Sequence, residues 1–264
     1  MKYAVAAHPP DGNQELQAAL NNVAIVLCRP KFPENIGAAA RIAHNMGISA
    51  LHVVTDQQPD EERVRRMATH NATRLIDDMQ LHRNLGDSLA TFSRVIGTTA
   101  RHGRQRRLVK NPREMTELVV PQLFGNKIAL LFGPEDKGLS NDDLKFCQMT
   151  VTIPTADFSS LNLAQAVAIL CYELRAGLLA ELAAGPRQQA PKLAETRELE
   201  GMYKHLEKTL CRIGFLQADK HDYWMRNIRQ FLGRLQLRSK EVRLVRGLCR
   251  QFLWYEGKRK QDPK

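Results

Sequence analysis

A chain of 264 residues with 43% hydrophobic content can bury one sizeable α/β domain and a smaller one. Its net charge of +11 is uneven: residues 185–264 hold 19 Lys and Arg against 9 Asp and Glu, so a near-neutral body precedes a strongly basic tail. Such a tail suits a polyanion, nucleic acid ahead of membrane, with a solvated arginine-rich surface as the plainer alternative. Cysteines 28, 147, 171, 211 and 249 form no CxxC pair and no metal-like Cys/His spacing, and read as reduced thiols in a cytoplasmic protein.

The N-terminal MKYAVAAHPPDG has only VAA as an apolar core, too short for a signal peptide, and no run approaches a membrane span in length. Residues 1–20 read as a loosely ordered arm. NVAIVLC (22–28) is a short continuous apolar run, suited to a strand buried on both faces. IGAAARIAHNMG (36–47) predicts a small-residue helix with Gly47 as its C-cap. ALHVV (50–54), a polar helical stretch around 61–76, SRVIGTT (93–99), KIALLFG (127–133) and QMTVTIP (148–154) follow. Five apolar strands interleaved with helices predict a parallel sheet covered on both faces, with ligands at the carboxyl ends of the strands. AAGPRQQAPKLAET (183–196) reads as a linker. Beyond it, Leu199, Tyr203, Leu206, Leu210 and Ile213 repeat at helical spacing, as do Trp224, Ile228, Phe231 and Leu235, then Val242, Val245, Leu248 and Phe252. Three helices are expected there, with Ser239 capping the last.

The loops after the strands carry the polar groups. In RPKFPENIGAAAR, Gly37 and the alanines let a helix start close to a ligand or to another backbone. Asn35 and Arg41 supply polar groups there, and the Arg41 guanidinium could hold a phosphate or orient a ribose; equally, Asn35 could be a helix cap and Arg41 a surface charge. FGPEDKGLSNDD is neither a Walker A loop nor GxGxxG. Its Ser140 suits a helix cap, while Glu135 between two glycines is an unexplained charge. GTTARHGRQRR sets Arg101, Arg104, Arg106 and Arg107 beyond a strand end, either solvated or on phosphate. In VTIPTADFSSLNLAQAVAIL, Ser159 or Ser160 can cap a helix beginning near Leu161, with Asn162 inside its first turn. One cap suffices, so the surplus polar groups need a partner from elsewhere.

Taken in this order, NIGAAAR (35–41), LLFGPEDKGLS (130–140) and VTIPTADFSSLNLAQAVAILCYELR (151–175) resemble the three motifs of the SpoU/TrmH branch of the SPOUT methyltransferases. LEKTLCRIGFLQ (206–217) and MRNIRQFLGRLQLRSKEVRLVRGL (225–248) look like the C-terminal extension of the TrmJ-type tRNA (cytidine/uridine-2′-O)-methyltransferases. The resemblance implies an α/β fold with a parallel SPOUT sheet and a C-terminal trefoil knot, followed by a small all-helical C-terminal domain. It divides the chain into an arm (1–20), a SPOUT methyltransferase domain (21–183), a linker (184–196) and a basic helical extension for tRNA binding or dimerisation (197–264). It implies a homodimer that needs no metal and no membrane. It further implies 2′-O-ribose methylation of tRNA at anticodon-loop position 32, with S-adenosylmethionine as the methyl donor. On matching positions the cofactor pocket is Thr98, Thr99, Ala100, Gly133, Gly138, Ile153, Ser159, Ser160 and Leu161. Arg41, Ser160, Asn35, Glu135 and Asn162 match the family's catalytic set, and Arg41 with Arg101, Arg104, Arg106 and Arg107 would meet RNA.

Two rival readings remain in view. One is the same chemistry on ribosomal RNA or another tRNA position. The other is a non-catalytic RNA-binding protein with a SPOUT fold, against which the joint presence of the five polar residues argues. A nucleotide-dependent oxidoreductase is disfavoured, because neither GxGxxG nor an acidic ribose reader follows the first strand.

Overall fold

The computed structural model describes residues 10–100, 109–157, 159–185 and 189–261. The strands are β1 (Val23–Cys28), β2 (Ala50–Val54), β3 (Gln80–His82), β4 (Arg94–Thr98), β5 (Val109–Lys110), β6 (Ile128–Phe132) and β7 (Met149–Val151). The helices are α1 (Pro10–Leu20), α2 (Pro33–Met46), α3 (Glu61–Ala68), α4 (Thr73–Asp77), α5 (Leu85–Leu89), α6 (Pro112–Val119), α7 (Asn141–Leu144), α8 (Leu163–Ala183), α9 (Thr196–Arg212), α10 (His221–Arg234) and α11 (Ser239–Gln261).

The sheet runs β3-β2-β1-β6-β4-β7-β5, and every pair is parallel. The five apolar runs are strands, as their sequences predict; β3 and β5 are additional, short and at the edges, which limits pairing with other chains. Alternation along β1 divides two cores. Val23, Ile25 and Leu27 pack with α1, α2, α6 and α8 on one face. Ala24, Val26 and Cys28 pack with Leu85, Leu89, Leu144 and Cys147 on the other. Because β6 lies between β1 and β4, and β7 beyond β4, the loops leaving all four strands converge at one end of the sheet.

Gly37 is required by a neighbouring backbone: a Cβ there would stand 2.0 Å from the Val64 carbonyl oxygen, so α2 and α3 could not approach. Gly47 caps α2 with φ 79°, and the Arg175 guanidinium donates to the Met46 carbonyl at 2.9 Å. The polar stretch at 61–76 breaks at Thr69, whose φ of 61° ends α3 before a 3-10 turn and α4.

Several expectations are corrected. The segment from Pro10 to Leu20 is a helix, not a loose arm, and Leu16, Ala19 and Leu20 are buried in the main core. The helix α8 is long and apolar enough by length and composition to cross a membrane, contrary to the reading of the sequence. Its Leu163, Val167, Leu170, Cys171, Leu174 and Leu178 are instead buried in the main core. The end of the supposed linker is docked on the body. The Asn126 side chain accepts from Leu193 N at 2.7 Å and donates to the Pro191 carbonyl at 3.1 Å, and Thr196 bonds the Phe92 carbonyl through both its N–H and its hydroxyl. Ser239 is the first residue of α11, and its hydroxyl donates to Glu198 rather than capping the helix. The three tail helices are present around a small core of Leu199, Met202, Tyr203 and Val242.

Candidate active site

Four loops meet at the carboxyl end of the sheet. The first leaves β1 through Arg29, a non-glycine residue at φ 53°. Its guanidinium bonds Asp143 of α7 at 2.5 Å, and Lys31 Nζ bonds Asp136 in the loop after β6 at 2.6 Å, so this loop is fastened to the β6–α7 segment by two ion pairs. Asp143 also completes a capping box with Ser140 at the start of α7, the cap read from the sequence. Burial acts to raise the Asp143 carboxyl pKa, but Ser140 and then Arg29 outweigh it and hold it below its ordinary value. Cys28 beside it is pushed up to about 12, by burial first and then by the Asp143 charge, so it stays a neutral thiol.

The second connection is a chain of side chains. Asn35, 8% exposed in the first turn of α2, donates to Glu135 Oε1 at 2.6 Å. The other carboxylate oxygen accepts the backbone N–H of Lys31 at 2.9 Å. Asn162 Nδ2 donates to Asn35 Oδ1 at 3.1 Å. Asn35 is therefore not a helix cap, since Phe32 holds that position. The cap of α8 is Asn162, not Ser159 or Ser160: its Oδ1 accepts from Ala164 N and Gln165 N, and the helix begins at Leu163. One asparagine thus starts the core helix and reaches across to α2.

Beside this chain lies a cavity of about 270 Å³. Thr98, Thr99, Ala100, Gly133, Gly138, Ile153, Ser159, Ser160 and Leu161 all line it, with Glu135 at the same wall. Sequence reasoning did not single out Val151, Leu139, Leu163 and Ala166, which supply its apolar side. The strand and helix patterns that carry Val151, Leu163 and Ala166 were visible, but not which way each residue faces, and Leu139 lies in a loop with no pattern. The loop 133–138 folds tightly: Gly138 has φ 62° and its N–H returns to the Pro134 carbonyl. A Cβ on Gly133 would lie 2.3 Å from Leu139 N, so only glycine fits.

Of the five candidate catalytic residues, Asn35, Glu135 and Asn162 form one bonded chain and Ser160 lines the cavity. Arg41 stands apart. It is exposed on α2, about 9 Å along the axis from Asn35, and does not line the cavity of its own chain. Arg101, Arg104, Arg106 and Arg107 lie outside the described residues. Among the described residues no group of three or more His, Cys, Asp or Glu is placed to hold a metal ion.

The model of the SpoU rRNA Methylase family matches residues 22–172, and that of the tRNA methyltransferase TrmJ C-terminal domain matches 197–263. The tRNA (cytidine/uridine/adenosine-2′-O-)-methyltransferase TrmJ of Pseudomonas aeruginosa is 37% identical over 242 residues, covering 87% of this chain and 93% of its own. The tRNA (cytidine/uridine-2′-O-)-methyltransferase TrmJ of Sodalis glossinidius is 34% identical, covering 87% and 90%. The crystal structure of TrmJ from Z. mobilis superposes with a TM-score of 0.74 at 31% identity, covering 86% of this chain and 97% of that one. The chain belongs to the SpoU methylase family, is an RNA methyltransferase by that membership, and carries the C-terminal domain of the TrmJ tRNA methyltransferases.

Proposed function

We propose that this enzyme methylates the ribose 2′-hydroxyl of cytidine or uridine at position 32 of the tRNA anticodon loop, using S-adenosylmethionine, as a cytoplasmic homodimer. The observation that carries the reading is the Glu135–Asn35–Asn162 chain, which reaches the cavity wall at Glu135. The cavity suits the cofactor: threonines, serines and glycine backbone on one side, and Val151, Ile153, Leu161 and Leu163 for a flat apolar ring. Bound there, the sulfonium cofactor supplies an activated methyl and its own leaving group.

The protein's part is orientation and electrostatics. The ribose oxygen gains the methyl as its O–H bond breaks, and the proton goes to solvent, directly or relayed through the Ser160 hydroxyl. Asn35, fixed at both ends of its amide, aligns the ribose. Glu135 holds the Lys31–Asn35 turn against the cofactor loop. The role of Arg41 is to bind the flanking phosphate through its guanidinium and to stabilise developing negative charge on the oxygen. A homodimer is part of this reading, because Arg41 lies outside its own cavity's lining and α8 leaves Tyr172 60% exposed.

The test is incubation with S-adenosylmethionine and unmodified tRNA transcripts, then nuclease digestion and mass spectrometry. A 2′-O-methyl at position 32 is expected. Methylation only at another tRNA position, or of ribosomal RNA fragments offered in parallel and not of tRNA, or of nothing, overturns the reading. Arg41→Ala should abolish turnover while cofactor binding by calorimetry stays nearly intact.

A further inference from the structure

The basic tail is also where the aromatic residues are. Residues 185–264 hold eight of the chain's sixteen Phe, Trp and Tyr, including both tryptophans. Only Tyr203 among these eight is buried; Phe215, Tyr223, Trp224, Phe231, Phe252, Trp254 and Tyr255 are all exposed. A tail that used its aromatics for stability would bury them.

Three of the seven form a cluster between α9 and α10. Trp224 meets Phe215 at 5.4 Å between ring centroids, tilted by 57°, and meets Tyr223 at 5.6 Å and 76°. Tilted and edge-on contacts leave ring faces uncovered, and Phe215 is 50%, Tyr223 59% and Trp224 39% exposed. The cluster is also held in place. Gly214 at φ 77° ends α9, its N–H returning to Cys211 and that of Phe215 to Leu210, both as carbonyl acceptors. This is a Schellman turn, whose residue after the glycine normally folds back onto the helix. Phe215 stays half exposed instead. Trp224 lies in the first turn of α10, whose capping residue is the exposed Lys220.

A patch of rigid rings on a surface with a net charge of +10 over 185–264 needs an occupant that is both anionic and flat. A second copy of the chain would bring two such tails together against their own repulsion. Single-stranded nucleic acid has both properties, with phosphates for the cations and bases for the rings. We propose that Phe215, Tyr223 and Trp224 are a stacking platform for unpaired nucleobases of the RNA substrate. This rests on the tRNA reading and adds a contact to bases, where the charge alone requires only phosphates.

Stacking and charge leave different signatures. Losing one ring weakens binding without changing the number of displaced counterions, so the slope of log affinity against log salt stays the same. Losing a phosphate-contacting lysine lowers that slope by about 1. With full-length enzyme and a tRNA transcript, Trp224→Ala and Phe215→Ala should each weaken binding about tenfold at unchanged slope. Trp224→Phe should restore most of the loss, and a blunt-ended, fully paired RNA duplex should bind all three as it binds wild type. In Trp254→Phe, Trp224 is the only tryptophan, and its fluorescence should be quenched by the transcript and not by the blunt duplex; this measurement stands even where an alanine variant fails to fold. Unchanged affinity in Trp224→Ala and Phe215→Ala, an absent quench, or conversion of a dimer to monomer in those variants overturns the platform. If wild-type enzyme methylates no tRNA, the substrate reading fails with it; if it does and the alanine variants bind as wild type, the platform alone fails.

Discussion

Asn35 and Glu135 stand 100 residues apart in the chain and meet at 2.6 Å, amide nitrogen to carboxylate oxygen. The bond joins the first turn of α2 to the loop after β6, and the second oxygen of Glu135 takes the Lys31 N–H. Glu135→Gln keeps the shape but offers one acceptor where two donors arrive. A hydrogen bond to a charged group contributes about 1.5–3 kcal/mol. Methyl transfer by Glu135→Gln should therefore fall about tenfold or more, measured as kcat/KM with labelled cofactor. Wild-type kinetics would remove Glu135 from the organising role.

Asn162 has two tasks that substitution can separate. Its oxygen caps α8 and its nitrogen donates to Asn35. Asn162→Asp keeps the cap and adds a charge that the helix N-terminus favours. It loses the donor, and Asn35 cannot compensate by turning its amide, because carboxylates would then flank it on both sides. Asn162→Asp should unfold within about 0.5 kcal/mol of wild type yet lose most turnover. Asn162→Ala should lose turnover and about 1 kcal/mol of stability. Equal turnover in Asn162→Asp and wild type would show that only the cap matters.

The cofactor loop depends on its first glycine more than on its second. A Cβ on Gly133 meets the backbone of Leu139 at 2.3 Å and of Gly138 at 2.4 Å, so the loop must move. On Gly138 a Cβ meets nothing within 4 Å, and the cost is only its φ of 62°, about 1 kcal/mol. Calorimetry with S-adenosylmethionine should show binding lost in Gly133→Ala and only weakened in Gly138→Ala. The reverse order would contradict the loop geometry.

His52 should make stability depend on pH. Burial first, then the neighbouring His82, lower its pKa to about 4 from the usual 6.5. Below about 6.5 the unfolded chain takes up a proton that the folded chain refuses until about 4. The stabilisation is complete above 6.5 and is lost as pH falls toward 4. His82, stacked on His52 at 5.1 Å and also lowered by burial, acts in the same direction. The urea midpoint should drop between pH 7 and pH 5, and His52→Leu should flatten that drop. An equal drop in the variant would assign it to other groups.

Why some features were visible in the sequence and others were not follows from range. β1, β2, β4, β6 and β7 are apolar runs because strands buried on both faces must be. The edge strands β3 and β5 have two or three residues and no pattern to read. In α1, PDGNQELQAAL shows its buried face only at Leu16, Ala19 and Leu20, which are intelligible once the core they enter is known. The cap of α8 was misplaced for the same reason. Local propensity favours serine at the start and disfavours asparagine within, but the path of the loop and the bond to Asn35, 127 residues away, put Asn162 at the boundary. No spacing reveals that Asn35, Glu135 and Asn162 touch. Only the resemblance of three motifs grouped them beforehand. Arg29–Asp143 had no such help, since both acids at the start of α7 are accounted for by the helix dipole alone.

The order of strands has a consequence for synthesis. One edge of β1 is paired early, Ala24 with Ala50, but the other waits for β6, Val23 with Ile128. At about 5–20 residues per second a ribosome needs about 5–20 s to make the intervening chain. Throughout that interval VAIVLC presents an open edge and two apolar faces, a template for any other unpaired strand. Until Ile128 is made, burial of that edge cannot begin, so the unfinished chain is exposed to aggregation however stable the finished fold is.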